Sequence, residues 1–459
     1  MPRFPGWGAA LGPGVVWMAL AQGSGELIWW PYLIAKYHLG FLFLLLPACL
    51  LQWPLTFEIG RYTALTGEGI WQGFLRLHRW FALPLWLLML GSFLWFGAFA
   101  SAGGTALAAL TGFPPDWSVR GQSLFWAYAS IAVFLTGLVL SPVLYRFIER
   151  FMFVVAMLTL VGLLGACMHA DVLRVIPQFA RGIVYPEMPL PRAWDPADAS
   201  TLLTAVAFAG LGGFWTLFYS YWLREKGVCM AAHAERVTGL LGRSEPEPQE
   251  GAIPAADADS PPTLKQWLRY LRVDSAIGIF GNIATTLMTC LLAFALLAPT
   301  GTVPEGWEIA VVQAKFFSAR WGEAGEAVFL VISAAFLSDT WLSTADAVSR
   351  VNTDIVYHFF PSARRRTVRW WYFCFLAIVT VVTCVTMPLA QPGPLIVLSA
   401  VTGFFGTVIY SIALLILNHV YLPRRLPAFA RPSRWSTAAM TLSCTGYAVF
   451  AALYVWLLL

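Results

Sequence analysis

The sequence predicts an all-α polytopic membrane protein: eleven transmembrane helices, built as a five-plus-five inverted repeat with helices one and six broken and helix eleven appended. Three observations predict it. Of 459 residues, 59% are hydrophobic and only 12% are charged, about half the charged share of a soluble domain and too little to cover a water-facing surface. The apolar residues fall in runs of about 20, the length that crosses a bilayer as a helix, rather than in the ~10-residue alternating segments of a membrane barrel. Glycine clusters interrupt two of those runs at corresponding places in the two halves. A soluble enzyme, a disordered or fibrous chain and a nucleic-acid binder are excluded. The formal charge of +5 comes from basic residues scattered between apolar runs.

In chain order the helices are expected over 11–38, 41–58, 82–111, 121–140 and 150–170, then 200–223, 274–298, 325–346, 369–388, 394–420 and 436–458. The connecting loops test this count. With the N-terminus cytoplasmic, 22 Lys and Arg fall on the inner side and 7 on the outer side, which satisfies the positive-inside rule. The C-terminus is then outside. The first apolar run follows Arg3 alone and leads straight into more helix, as a signal anchor does rather than a cleaved leader. The expected location is the bacterial inner (plasma) membrane.

The repeats divide the chain into residues 1–170 (helices one to five), an outer loop 171–199, residues 200–420 (helices six to ten) and 421–459 (helix eleven). Within the second repeat, about 243–262 is Pro-rich, acidic and aperiodic, and is expected to be a disordered cytoplasmic loop. Leu264–Arg272 and Ile70–Trp80 read as amphipathic segments lying in the headgroup layer. Six of the seven Cys lie in apolar runs and no CxxC pair occurs, so neither a disulfide framework nor a metal cluster is implied.

The breaks carry the functional argument. Helix one is interrupted by Gly23-Ser24-Gly25-Glu26, and helix six by Gly210-Leu211-Gly212-Gly213. Clustered Gly lets a helix unwind, and freed backbone groups inside a membrane survive only where protein or a water-filled cavity satisfies them. Half-helix ends meeting at mid-depth make an ion or substrate site. Helix one opens the first group of five and helix six opens the second. Because five is odd, the second group enters the membrane from the opposite side, the pattern of an alternating-access transporter.

Leu11-Gly12-Pro13-Gly14, the break that follows it, and the GRYTALTGEGI stretch after helix two together resemble the Nramp family of metal-ion transporters. The resemblance spans nearly the whole chain and implies a LeuT-type fold. Typical members carry Asp-Pro-Gly-Asn in the first break and Met-Pro-His-Asn in the sixth. Here Gly23–Glu26 and Gly210–Gly213 stand instead, followed by Phe214-Trp215-Thr216. The soft thioether that favours Mn and Fe is absent, so the chain reads as a divergent, Nramp-related branch. Only positions carry over: Gly23, Ser24, Gly25, Glu26, Gly210, Gly212, Gly213 and Thr216 are expected to line the site.

Glu26 is the expected metal ligand and, with Asp339 of helix eight, the expected proton-coupling group, because an ionisable side chain at mid-bilayer is costly unless it has a task. Asp346, close to Arg350, is expected to be solvated or ion-paired. Glu58 and Arg61 read as an interfacial structural pair, and Asn282, Thr402, Thr407 and Asn418 as interhelical hydrogen-bonding residues. Trp29, Trp30 and Trp215 flank the breaks and could wall a substrate. Three functions remain open: a secondary transporter of divalent metal ions, a hard ion such as Mg²⁺ suiting the altered motif better than Mn or Fe; a proton- or ion-coupled carrier of a small organic solute; and a non-transporting membrane sensor. An enzyme is disfavoured, since no nucleophile–base pair or phosphate-binding motif is present. No cofactor is expected. The expected partners are the bilayer and an ion or small-molecule substrate, with no nucleic acid.

Overall fold

The computed structural model describes residues 1–10, 12–23, 28–141, 144–185, 194–234, 237–238, 251, 253–255, 257–304 and 309–458. Among them there are helices and no strand. Ten of the expected helices are long and apolar enough to cross a bilayer. Span two is Leu42–Thr66, three Arg79–Thr111, four Val119–Leu140 and five Leu144–Cys167. Span six is Pro196–Lys226, seven Ser260–Thr300, eight Lys315–Phe359, nine Val368–Leu389, ten Pro392–Arg424 and eleven Ala428–Leu457. Span one is present as two nine-residue helices, Pro13–Ala21 and Trp29–Tyr37.

Burial sorts these spans into centre and rim. In the most apolar stretch of span six 94% of residues are buried, and in span eight 78%; span eleven has 17% and spans four and nine 28% each. The rim spans turn large apolar side chains outward, such as Val133, Val161, Val381 and Leu442, as a hydrocarbon solvent allows. The centre is therefore where polar groups need protein partners.

Several boundaries differ from expectation. Span two runs on to Thr66, so Glu58 and Arg61 are buried rather than interfacial. Span eight continues past Asp346 to Phe359, with a kink at Gly322. Leu264–Arg272 is not a separate surface helix but part of a 37-residue helix, Ser260–Leu296, with Leu264, Trp267 and Leu271 buried. Ser260–Pro262, expected in the disordered loop, opens that helix; most of 243–259 lies outside the described residues. The loop after span five holds a helix, Ala170–Val184, that buries Val172 and Phe179.

Candidate transport site

The break in span six is fully described. Ala199–Phe208 ends, Gly213–Leu217 is a 3-10 turn, and Phe218–Lys226 resumes the α-helix. Gly210 (φ 90), Leu211 (φ 69) and Gly213 (φ 67) occupy the left-handed region. Gly enters that region freely, whereas Leu211 is held there at a steric cost. The freed carbonyls find side-chain donors from three other spans. Trp17 of span one donates its indole N–H to the Gly210 oxygen at 3.1 Å. Gln52 of span two donates to the Ala207 and Ala209 oxygens at 3.2 and 2.7 Å. Tyr410 of span ten donates to the Gly213 oxygen at 2.8 Å, and Thr216 to the Leu211 oxygen at 2.7 Å. Gly212 packs beside the Gln52 amide. In this state the sixth break is closed by the protein itself.

Span one is built around its two ends. Pro13 occupies the first turn of Pro13–Ala21, and the Gly12 N–H donates to the Asp274 carboxylate of span seven at 3.4 Å. Asp274 also accepts from the Tyr219 hydroxyl of span six at 2.8 Å. A carboxylate at a helix N-terminus offsets its partial positive charge, which gives the Leu11–Gly14 motif a physical role. At the other end of this half-helix, Gly23 packs against span eight. A β-carbon there would overlap the Thr340 hydroxyl and the Phe336 carbonyl. Ser24, Gly25 and Glu26 lie outside the described residues.

Span eight supplies the exceptional polar group. Asp339 follows Phe336 by three positions and adjoins Thr340, the two residues of span eight that meet Gly23. It is 0% exposed. Neither carboxylate oxygen has a hydrogen-bond partner among the described residues; the same holds for both amide atoms of Gln22, next to Gly23, and for the Ser338 hydroxyl. The Thr340 hydroxyl donates to the Phe336 carbonyl instead, at 2.9 Å. The structure thus brings Gly23 against Phe336 and Thr340, three residues before and one after Asp339. It places Gly210, Gly212, Gly213 and Thr216 in a break where the Ala207, Ala209, Gly210, Leu211 and Gly213 carbonyls are satisfied by side chains. No group of three or more His, Cys, Asp or Glu that could hold a metal is found among the described residues.

Of the tryptophans, Trp215 donates to Thr344 at 3.0 Å within a buried aromatic group that includes Phe93, Phe99 and Phe208. Trp29 and Trp30 are buried, and neither indole N–H has a partner among the described residues. Sequence reasoning missed Gln52, Trp17, Tyr410 and Asp274. Gln52 and Asp274 were legible as polar residues in or beside apolar runs, but nothing in the sequence says that Gln52 meets the sixth break some 160 positions away or that Asp274 caps the start of span one some 260 positions away.

Both ends of the central spans are tied by polar networks. On the face carrying most of the basic residues, Asp354 accepts from Gln72 (2.6 Å) and Tyr221 (2.7 Å) and lies 3.6 Å from Arg224. Arg350 pairs with Glu225 and, at 2.8 Å, with Asp346, which also accepts from Tyr372 of span nine at 2.6 Å. Asp346 is thus ion-paired but buried. Glu58 pairs with Arg61 at 2.9 Å and accepts from Asn418 at 2.9 Å. On the opposite face, Asp198 of span six binds Lys36 (2.7 Å), Tyr37 (2.6 Å) and Tyr32 (3.0 Å) of span one.

Comparison with known proteins bears on this architecture. No family model and no curated protein matches the chain. Solved structures do. A manganese transporter of Eremococcus coleocola, in complex with an aromatic bis-isothiourea substituted compound, superposes with a TM-score of 0.70 at 13% identity, covering 99% of this chain and 88% of that one. MhsT in complex with L-phenylalanine gives 0.60 at 13% identity over 100% of both chains. Mhp1, a nucleobase-cation-symport-1 family transporter with bromovinylhydantoin bound, gives 0.52 at 13% identity, covering 97% and 92%. The chain shares the fold of these solved structures, the LeuT-type fold expected from its sequence. At this identity the likeness extends to the fold, and the chemistry must be argued from the site.

Proposed function

We propose that the chain is a secondary transporter that moves a hard cation through a site between the break of span one and the middle of span eight, with Asp339 as an anionic ligand. The reading rests on the Asp339 carboxylate, buried without a partner among the described residues. An unpaired charge in such a place costs several kcal/mol, so the carboxylate carries either a proton or a cation. Gln22, the residue before Gly23, offers an amide oxygen rather than sulfur or imidazole nitrogen. Oxygen donors suit Mg²⁺, which keeps several of its waters and needs few protein ligands. Glu26, three positions beyond Gly23, would supply a second carboxylate, and exchange of a proton for the ion at either acid would couple the two fluxes.

In this reading residues 1–170 and 200–420 are the two repeats that rock against each other, span eleven is peripheral, and the basic face is cytoplasmic. The fold likeness to transporters supports it. The test is Mg²⁺ uptake into proteoliposomes, followed with an internal indicator, with and without a pH gradient. The wild-type chain should load the vesicles and Asp339→Asn should not. Equal uptake by the two would end the assignment of Asp339, and silence of the wild type toward Mg²⁺ would end the metal reading.

A further inference from the structure

We infer that a groove at the basic face, floored by span two and walled by spans seven and eleven, is a binding site for an anionic phospholipid, whose phosphate it holds beside Arg272. The groove encloses about 280 Å³, near the small end of the range for ligand clefts. Trp53 and Phe57 of span two, Arg272 of span seven, and Ser433, Trp435 and Ala439 of span eleven line it. Span two touches both walls: the Trp53 indole N–H donates to the Ser275 hydroxyl of span seven at 3.1 Å, and Leu51 packs against Gly446 of span eleven. The groove stands apart from the cation site and does not depend on that reading.

Charge sets the headgroup. The Arg272 guanidinium stands 5.8 Å from the centre of the Phe57 ring, which keeps it at the groove, and it has no carboxylate partner among the described residues. The acid in the lining, Glu58, is 1% exposed and already holds Arg61 and Asn418, each at 2.9 Å, and the Ser436 hydroxyl. It therefore does not compete for Arg272. Ser433 accepts the Ser436 N–H at 3.2 Å, and its own hydroxyl proton has no acceptor among the described residues. The 25-residue helix Arg434–Leu458 begins here and adds its positive end. A guanidinium fork and a hydroxyl donor in such a field suit the oxygens of a phosphate.

Apolar surface sets the rest of the ligand and separates a lipid from a free anion. Leu50 lies two turns from Phe57 along span two, Phe280 two turns from Arg272 along span seven, and Leu442 two turns from Trp435 along span eleven. All three are exposed, and each stands about 10 Å farther from the basic face than the groove. Phe280 meets the edge of Trp53 at 5.6 Å, so the apolar track is continuous with the groove. Trp435 is 86% exposed with Arg434 beside it, the pairing that marks the headgroup layer of a bilayer. A ligand with a phosphate at this level and apolar chains running toward the membrane centre is a phospholipid, and the uncompensated Arg272 selects one with net negative charge.

The experiment is native mass spectrometry of the purified full-length protein, delipidated in detergent and offered equal amounts of phosphatidylglycerol (anionic) and phosphatidylcholine (zwitterionic). The wild type should retain phosphatidylglycerol about tenfold better. Arg272→Gln, at an exposed position, should bring the two lipids to within about twofold. Ala439→Trp fills the groove from span eleven and should remove the preference as well, which keeps the test decisive should the first variant fail to fold. Millimolar inorganic phosphate should leave the bound lipid in place, because it offers nothing to Leu50, Phe280 and Leu442. Equal retention of the two lipids by the wild type, a preference that survives either substitution, or displacement by inorganic phosphate overturns the inference.

Discussion

Gly23 and Thr340 touch so closely that no side chain fits between them: a β-carbon on the glycine would overlap the threonine hydroxyl and the carbonyl of Phe336 one turn earlier. The contact joins the end of the first half-helix to the turn of span eight that contains Asp339. Gly23→Ala should therefore destabilise the protein by about 1–3 kcal/mol, the usual cost of overpacking. Adding Thr340→Ala should not restore it, because the Phe336 oxygen belongs to the backbone. Thermal unfolding of the single and double variants measures this, and full rescue by the second substitution would contradict it.

Asp339→Asn should remove the response to the ion rather than the fold. Wild-type protein should gain thermal stability as Mg²⁺ is added, since a ligand that binds only the native state stabilises it by mass action. The Asn variant should unfold at one temperature whatever the Mg²⁺ concentration. A preserved magnesium-dependent shift would place the ion elsewhere.

Loss of a donor to the sixth break should be felt locally. Gln52→Leu strands the Ala207 and Ala209 carbonyls, and Tyr410→Phe strands that of Gly213. Each unsatisfied buried group costs about 1–3 kcal/mol, so the first substitution should be the more damaging. Hydrogen exchange should rise over 207–216 in both variants and stay unchanged in spans four and nine.

The ion-paired end of span eight makes a steeper prediction. Arg350 is 2% exposed and faces both Glu225 and Asp346. Arg350→Gln leaves two buried carboxylates without their cation, and removal of one partner from such a pair costs about 3–5 kcal/mol. Replacing the acids as well, in Arg350→Met with Glu225→Gln and Asp346→Asn, should recover most of that loss in a thermal melt.

The membrane architecture was legible in the sequence because hydropathy and span length respond to the same solvent. Each expected apolar run from helix two onward is a span, and the Gly210–Gly213 cluster does interrupt the sixth. What hydropathy could not see is where a helix goes after its apolar stretch. A 37-residue helix is about 55 Å long, well beyond a hydrocarbon core of about 30 Å. Ser260–Leu296 and the end of span eight continue through charged residues because Asp274 in the one, and Asp346, Arg350 and Asp354 in the other, meet partners on other spans. The site was legible in part for the same reason. Asp339 could be picked out as a lone acid in an apolar run. The donors that close the sixth break could not, because Trp17, Gln52 and Tyr410 are assembled by tertiary packing.

One consequence follows from those three donors. A carrier must travel back after unloading, and bare carbonyls at mid-depth would make that return leg expensive. Here Trp17, Gln52 and Tyr410 occupy the Gly210, Ala207, Ala209 and Gly213 oxygens, so in the proposed transporter the unladen molecule needs no ligand to cover them. In the proposed transport cycle the want of a positive charge falls on the eighth span, at Asp339, an acid that a proton can quiet for the journey home.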